Sequence, residues 1–395
     1  MRIQEEIFII QPLRTPIGKF GGALSSLTAV ELGVAVARGT LERSGIDPGV
    51  VGEVIFGNAR QAGVGPNPAR QIAIRSGLPN ETPAHTVNQA CASGLRAIIS
   101  AADQIRLGHA RIILAGGTES MSNTPYLMPR ARWGLRMGDG ELVDGMYRDG
   151  FLCPLAGEMM GATAETLADQ YRIGREEQDQ YAVRSQQRAA KAWDEGAFTA
   201  EILPVEVTGR KGTVRFDRDE HPRPDSTLES MARLAPVFRG DGTVHAGNSS
   251  GITDGAASML VASGDAVRDH GLEPAARIVG YAQAAVDPKV MGIGPVPAIR
   301  KLLEEAKVDL DEIDLIELNE AFAAQVIACD RELGLDPERL NVHGGAIALG
   351  HPIGGTGARI TVTLIHALGR HGKKLGLATL CVSGGMGMAM LVEKA

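Results

Sequence analysis

The stretch VPAIRKLLEEAKVDLDEIDLIELNEA, residues 296–321, reads as a helix ending near Lys307, a polar turn, and an apolar strand over 314–319. Residues 31–58, ELGVAVARGTLERSGIDPGVVGEVIFGN, follow the same plan. An amphipathic helix over 31–44 ends at Gly45, a residue suited to a helix C-terminal cap, and an Asp-Pro-Gly turn leads into a strand over 53–58. Ile46 and Asp47 align with Val308 and Asp309, and Val54 aligns with Ile316, all 262 residues apart.

A second pair of segments keeps nearly that spacing. ASGLR (92–96) opens a helix leading to the strand RIILA (111–115) and then Gly116-Gly117. GTGAR (355–359) opens a helix leading to LGLATL (375–380) and then Gly384-Gly385. Gly94 pairs with Gly357 at an offset of 263, and the Gly-Gly pairs at 268. A period this long is no solenoid repeat; it predicts two similar α/β halves packed together, against the competing reading of chance likeness between common α/β patterns. The halves are expected at 1–270 and 271–395. The first carries an inserted loop domain over about 118–249, because that region far exceeds an ordinary connection. It holds loop-like runs at 120–132 and 217–224 and a polar helix over 175–193.

Composition agrees with an enzyme-sized α/β chain. Of 395 residues, 40 are Lys or Arg and 47 Asp or Glu, a net charge of −7 that disfavours nucleic acid and anionic membranes as partners. Glycine, at 50 residues, is about one in eight, while aromatics are scarce, which favours closely packed layers of helix and sheet. Cys91, Cys153, Cys329 and Cys381 are too few for a disulfide scaffold and none has a C-x₂-C spacing, as expected of a reducing compartment. With no signal-peptide core at residues 1–11, no 18-residue apolar run and no address at the C-terminus, the expected location is cytoplasmic. The Gly-rich and P-loop signatures of dinucleotide and nucleotide enzymes are absent in the required contexts. His343, His351 and Cys329 match no metal-ligand spacing, and the basic run at 130–136 reads as a solvated loop face.

Three segments can carry chemistry. Cys91, in VNQACASGLR (87–96), precedes an amphipathic helix, whose N-terminal N–H groups favour a thiolate and could bind an oxyanion. The bland reading is an inert thiol among small residues. His351 lies in GGAIALGHPIGGTG (344–357), a loop that fixes an imidazole without bulk around it, as a general base requires; a structural His in a Gly-rich turn is the alternative. Cys381 ends an apolar strand and enters a Gly-rich turn, the place where ligand sites gather in α/β sheets, or it is a buried core thiol. Asn319 ends another strand and could hold a water or orient a His, or act as a helix N-cap. GNSSGITDG (247–255) is a further small-residue turn.

Taken together these segments resemble the thiolase family over essentially the whole chain. The boxes, in family order, are RTPIGKFGG (14–22), CASG (91–94), GGTESMS (116–122), 247–254, NEAF (319–322), GHP (350–352) and Cys381 with its glycines. The resemblance implies a thiolase fold of two mixed-sheet halves in five layers, αβαβα, with a loop domain that helps bind coenzyme A. It implies a homodimer or tetramer, with coenzyme A thioesters as substrates and no separate cofactor or metal. The implied mechanism acylates Cys91, with His351 as its base. Cys381 then moves the proton of the carbanion step, and Asn319 holds an oxyanion-site water. Backbone N–H groups of Cys91 and Ser383 form the second oxyanion site. Ser250, Phe238, Met160, Met291, Ala321 and Phe322 are carried over as substrate-binding positions. Lys211, Arg223 and Arg239 are candidates for the coenzyme A phosphates.

Three positions depart from the family pattern: Ser383 where Gly is frequent, Met159 where short-chain members often have His, and Gln89-Ala90 before the nucleophile. The first puts a Gly-only backbone angle in question, and the second weakens a short-chain assignment. The expected reaction is reversible acyl transfer between coenzyme A thioesters, as condensation of two acetyl-CoA or thiolysis of a 3-ketoacyl-CoA. The alternatives are a ketoacyl-synthase-like condensing enzyme, disfavoured by the second cysteine, and a non-catalytic acyl-CoA or lipid carrier.

Overall fold

The computed structural model describes residues 6–209 and 212–395. Nine of its strands build the frame: β1 (Ile7–Arg14), β2 (Glu53–Gly57), β3 (Ala84–Val87), β4 (Ile112–Ser120), β5 (Thr253–Ser263), β6 (Pro274–Ala285), β7 (Leu315–Leu318), β8 (Leu375–Val382) and β9 (Met386–Lys394). They lie in one sheet in the order β7-β8-β9-β6-β1-β5-β4-β2-β3, with the two-residue strand Gly18–Lys19 on the side of β5. Seven helices matter here: α1 (Ala29–Ser44), α2 (Ser93–Arg106), α3 (Met160–Tyr171), α4 (Arg175–Asp194), α5 (Pro295–Ala306), α6 (Ala323–Leu333) and α7 (Ile353–Arg370).

The expected duplication is present in the strand pairing. In the first half β3 and β2, then β2 and β4, pair in parallel, and β5 and β1 follow antiparallel. In the second, β7 and β8 pair in parallel, and β9 and β6 follow antiparallel. Even the register repeats: Val54 faces Leu114, and Ile316 faces Leu377. The counterpart of β3 has shrunk to a single parallel bridge from Ile316 to Leu340. The halves join where β1 pairs with β6, so the sheet continues from one to the other around a shared core.

Five layers result. α1 packs with β1, β2 and β4 in an outer core, and α5 and α6 with β7 and β8 in the opposite one. Between the sheet halves lies the third core, built from α2, α7 and the inner faces of both halves. A helix with sheet on both sides is apolar all round, and α7 is buried along nearly its whole length. Its contact with α2 is backbone-close: a Cβ on Gly94 would stand 2.7 Å from the nitrogen of Ala358, and one on Gly357 2.3 Å from that of Leu95. The two glycines aligned by sequence therefore face each other's helices at the centre of the molecule.

The insertion spans residues 121–252, a few residues later at each end than expected, because β4 runs on to Ser120 and pairs with Asp254 on β5. It is docked by charge. Arg14 is wholly buried, with its Nε 2.5 Å from Glu201 and its Nη1 2.7 Å from Asp219. Asp219 also accepts from the amide of Ile17 at 2.7 Å, so the first of the family-like boxes has a structural job. A buried guanidinium is tolerable because both carboxylates neutralise it and occupy its donors.

Candidate active site

The two central helices begin at one place. Cys91 sits in a 3₁₀ turn, Ala90–Ala92, with α2 starting at Ser93 rather than at the next residue. The turn is sharp: Ala90 has φ 46°, a left-handed backbone that a residue with a Cβ rarely adopts. Side chains hold it there. Asn88 Oδ1 accepts from the amide of Ala90 at 3.0 Å, and Ser93 Oγ donates to the Ala90 carbonyl at 2.7 Å. Burial pushes the Cys91 thiol up from its ordinary value, opposed by the backbone N–H of Ser383, the positive charge of Arg60 and its own N–H. Both amides expected in an oxyanion site therefore converge on the Cys91 sulfur. Ser383 is not among the residues with left-handed φ, so a side chain costs the turn nothing and the doubt raised by the missing Gly is removed.

The loop before α7 delivers His351. Its amide donates to the Gly251 carbonyl at 3.0 Å, and its Nδ1 lies 2.6 Å from Thr356 Oγ1. The Thr356 hydroxyl proton goes to the Pro352 carbonyl at 3.0 Å, so Nδ1–H is the donor to Thr356 and Nε2 carries the lone pair. Nε2 is buried with no protein partner. Burial, then the charges of Arg359 and Arg60, pull the imidazole down to about 3, so it rests neutral with a free acceptor nitrogen. That is the state a general base needs.

Asn319 follows β7, its amide donating to the Thr379 carbonyl on β8 at 3.0 Å. It does not cap a helix: α6 starts at Ala323 with Phe322 as its N-cap. The Asn319 side chain is 1% exposed, and neither Oδ1 nor Nδ2 has a partner. A buried amide left this way costs stability, which is the mark of a group reserved for a ligand. Its neighbour Glu320 fixes the loop by accepting from Tyr181 (2.9 Å), Ser185 (2.7 Å), Asn341 (3.0 Å) and the amide of Ile347 (3.0 Å). Glu119 does the same for the other loops, accepting from Asn58 (2.8 Å) and the amides of Ala59 (3.1 Å) and Gly354 (2.9 Å). Sequence reading quoted both acids inside boxes and gave them no role. The available signal was a carboxylate among small and apolar residues, which must find several donors to be buried.

Cys381 is wholly buried at the end of β8, its thiol pushed well up by burial and by the charge of Cys91. It belongs to one apolar cluster with Met160, Met291, Ala321 and Phe322, and Phe238 packs against that cluster with its ring 6.1 Å from Phe322, edge to face. Five of the six positions expected to bind substrate are thus gathered with Cys381. Ser250, the sixth, is beside them, its amide donating to the Ala321 carbonyl at 3.0 Å. The unexpected members are Cys153, Ala164 and Val244, all from the insertion.

Beside Gly247 lies a cavity of about 210 Å³, lined also by His221, Arg223, Asp225, Ser226, Ser230 and Met231 among others. Of the cationic candidates, Arg223 lines it. Arg239 does not: it is engaged with Asp169 at 2.7 Å and Asp241 at 3.1 Å, so its charge is already met. Lys211 lies outside the described residues. His343 is structural, its Nε2 3.1 Å from that of His371, and among the described residues no three His, Cys, Asp or Glu side chains form a metal site.

Comparison with known proteins agrees with this geometry. Residues 7–265 match the family described as "Thiolase, N-terminal domain" and residues 272–394 "Thiolase, C-terminal domain". The acetyl-CoA acetyltransferase of Escherichia coli (strain K12) is 51% identical over 387 residues, covering 98% of both chains. Among solved structures, the Bacillus anthracis acetyl-CoA acetyltransferase superposes with a TM-score of 0.97 at 48% identity, covering 99% of both chains. Human mitochondrial 3-ketoacyl-CoA thiolase in complex with CoA gives 0.95 at 44%, covering 99% of this chain and 98% of that one. On the strength of both halves, this chain belongs to the thiolase family.

Proposed function

We propose that this thiolase-family acyltransferase works through an acyl-Cys91 intermediate, with the residues gathered above in the following roles. The observation that carries the reading is Cys91 with two amides aimed at its sulfur and close enough to act on Cys381, together with a neutral His351 with a free Nε2 and an unpartnered Asn319 amide. In the first step Cys91 gives its proton to His351 Nε2 and its sulfur attacks the thioester carbonyl. The C–S bond to coenzyme A breaks, and the leaving thiolate takes the proton from His351. In the second step Cys381, having released its own proton to water, removes a proton from the methyl carbon of acetyl-CoA and becomes a thiol. The carbanion attacks the acyl carbonyl, the C–S bond to Cys91 breaks, and the Cys91 thiolate regains a proton from water through His351. Thiolysis runs the same events backward, with Cys381 donating. Burial first, then the charge that Cys91 would carry as a thiolate, raise the Cys381 thiol, so the two cysteines are close enough to act on one another. Every proton and electron pair in both steps has a home in these three side chains, the substrates and water, so no separate cofactor is called for.

Oxyanions form on a thioester oxygen in each step. One is assigned to the amides of Cys91 and Ser383, the other to His351 with a water held by Asn319. The 210 Å³ cavity fits the coenzyme A arm, with Gly247 and Met231 along it and Arg223, beside Asp225, for a phosphate; Ser250 lies three residues beyond Gly247. The apolar cluster around Cys381 takes the acyl group. We also divide the chain at 270/271, place it in the cytoplasm, and read it as a homo-oligomer. Among the described residues no helix is long and apolar enough to cross a membrane. Support for self-association comes from β3, an unpaired sheet edge, and from the segment 126–142, where Trp133 is 85% and Met137 97% exposed.

The test is to incubate the protein with acetyl-CoA, remove small molecules and measure intact and peptide masses. An acetyl group on Cys91, absent in Cys91→Ala and released by coenzyme A, is expected. Folded protein with no adduct from acetyl or longer acyl donors would sink the reading.

A further inference from the structure

Two buried arginines lie near enough to feel each other's charge, and the fold matches them unequally. Arg14 is closed by hydrogen-bonded carboxylates of Glu201 and Asp219. Arg359, on α7, has one ion-pair partner, Glu317 of β7, whose Oε2 stands 3.5 Å from Nη1, both side chains almost fully buried. None of the three Arg359 side-chain nitrogens has a hydrogen-bond partner in the protein. Burial pushes the Glu317 carboxyl up, to about 8, against the pull of Arg359, so near neutrality this acid offsets the guanidinium only in part. The other charges around Arg359 are already engaged: Glu201 with Arg14, and Glu320 with Tyr181, Ser185, Asn341 and the amide of Ile347. A buried ion pair without hydrogen bonds costs stability, so its place in the fold needs another reason.

Its position supplies one. His351 stands two residues before Ile353, the first residue of α7, and Arg359 lies six residues further along the same helix, a rise of about 9 Å. After burial, the charges that bear on His351 are Arg359 and then Arg60, both cations. The positive end of the α7 backbone dipole acts in the same sense. Glu119, the acid closest to this loop, is taken up by the amides of Ala59, Arg60 and Gly354. Arg60 also bears on Cys91, where it favours the thiolate.

We propose that Arg359 is a positioning residue for the acylation step and acts through His351. Its charge opposes formation of an imidazolium, so Cys91 and His351 rest as thiol and imidazole and not as a preformed thiolate–imidazolium pair. When the proton passes from Cys91 to Nε2 during attack, the same charge hastens its onward transfer to the leaving coenzyme A thiolate. The inference rests on the pairing of Cys91 with His351 proposed above.

The experiment follows alkylation of Cys91 by iodoacetamide in the intact protein from pH 5.5 to 9.5, with the modified peptide quantified by mass. Thiolate formed by proton loss to water gives a limb rising about tenfold per pH unit. Thiolate formed by transfer to His351 gives a floor beneath it that is independent of pH. Arg359→Met should raise the floor by about tenfold, the scale of one unit charge at this range, and Arg359→Lys should return it toward the unsubstituted level. Adding His351→Gln to Arg359→Met should remove the floor. The double variant Arg359→Met/Glu317→Gln leaves no charge of the pair to bury and should show the same raised floor, which keeps the test open where the single variant does not fold.

An unchanged floor in the folded variants overturns the inference. So does a lowered floor with the limb moved to higher pH, the result of a cation acting directly on Cys91. A raised floor that survives His351→Gln marks a loosened site and overturns it as well. Acetylation of Cys91 tests the parent reading separately. Normal acetylation with an unchanged floor strikes only the role of Arg359, whereas a raised, His351-dependent floor without acetyl-enzyme keeps that role and strikes the acyl-Cys91 intermediate.

Discussion

The two halves share a plan but close it differently, and the active site lies in that difference. In the first half β4 and β5 are joined by residues 121–252, the whole insertion; in the second, β8 and β9 are joined by Ser383, Gly384 and Gly385 alone. The short turn leaves the end of β8, with Cys381, without cover from its own half. The insertion supplies the cover, through Met160, Phe238 and Cys153. The helix starts diverge likewise. α2 begins with a strained turn that presents a thiol, and α7 begins with a loop that presents an imidazole. One supersecondary unit used twice thus presents one thiol from one copy, and an imidazole and a second thiol from the other.

Separating the halves chemically gives the largest effects. Cys91→Ala should lower turnover by at least about 10⁴-fold, the scale for losing a nucleophile, with no acetyl-enzyme. Cys381→Ala should lower turnover by about 10²–10⁴-fold yet still accumulate acetyl-Cys91 in the mass spectrum. Failure to acetylate would mean that the halves do not divide the two steps. Asn319→Ala should cost about 10²–10³ in kcat while the melting temperature stays or rises, because the amide it removes is buried and unpartnered. A clear drop in melting temperature would make Asn319 structural.

At the seam between the halves, Gly94→Ala and Gly357→Ala should each destabilise by about 1–3 kcal/mol in urea unfolding, since both methyl groups would strike backbone atoms of the partner helix. A neutral result at either position would show the central helices to be looser than their repeat suggests. A further effect is on pH dependence. His351, held near 3, stays neutral in the folded chain while an unfolded His binds a proton near 6.5. The unfolded state therefore binds more protons between those values, and stability falls with acid by about 1.4 kcal/mol per pH unit below 6.5. His343, at about 4, adds to the slope down to that pH. Unfolding midpoints between pH 7.5 and 5 should show this, with a shallower slope in His351→Gln. Cys91 alkylation should still be rising above pH 8, because its thiol is raised; a plateau at neutral pH would mean a preformed thiolate instead.

Much of this was legible in the chain. Periodicity, caps and glycines marked the repeat, because a helix-turn-strand unit is specified locally: Gly45 is the left-handed cap of α1, and Val54 and Ile316 hold matching registers. The boxes carried Cys91, His351, Cys381 and Asn319, because groups at strand and helix ends leave small-residue signatures. Other features depended on contacts across the fold. No local pattern says that Asn319 would be left without a partner, that Thr356 would set the His351 tautomer, or that Arg239 would be spent on Asp169 while Arg223 lines the cavity. Nor does any pattern pair Arg14 with Glu201 and Asp219, about two hundred residues away. Sequence by itself determined the repeated units and the reactive side chains, since these follow from backbone preference and chemical type. Only the tertiary structure decided protonation, partnership and cover, because those depend on burial and on charges brought together from distant parts of the chain.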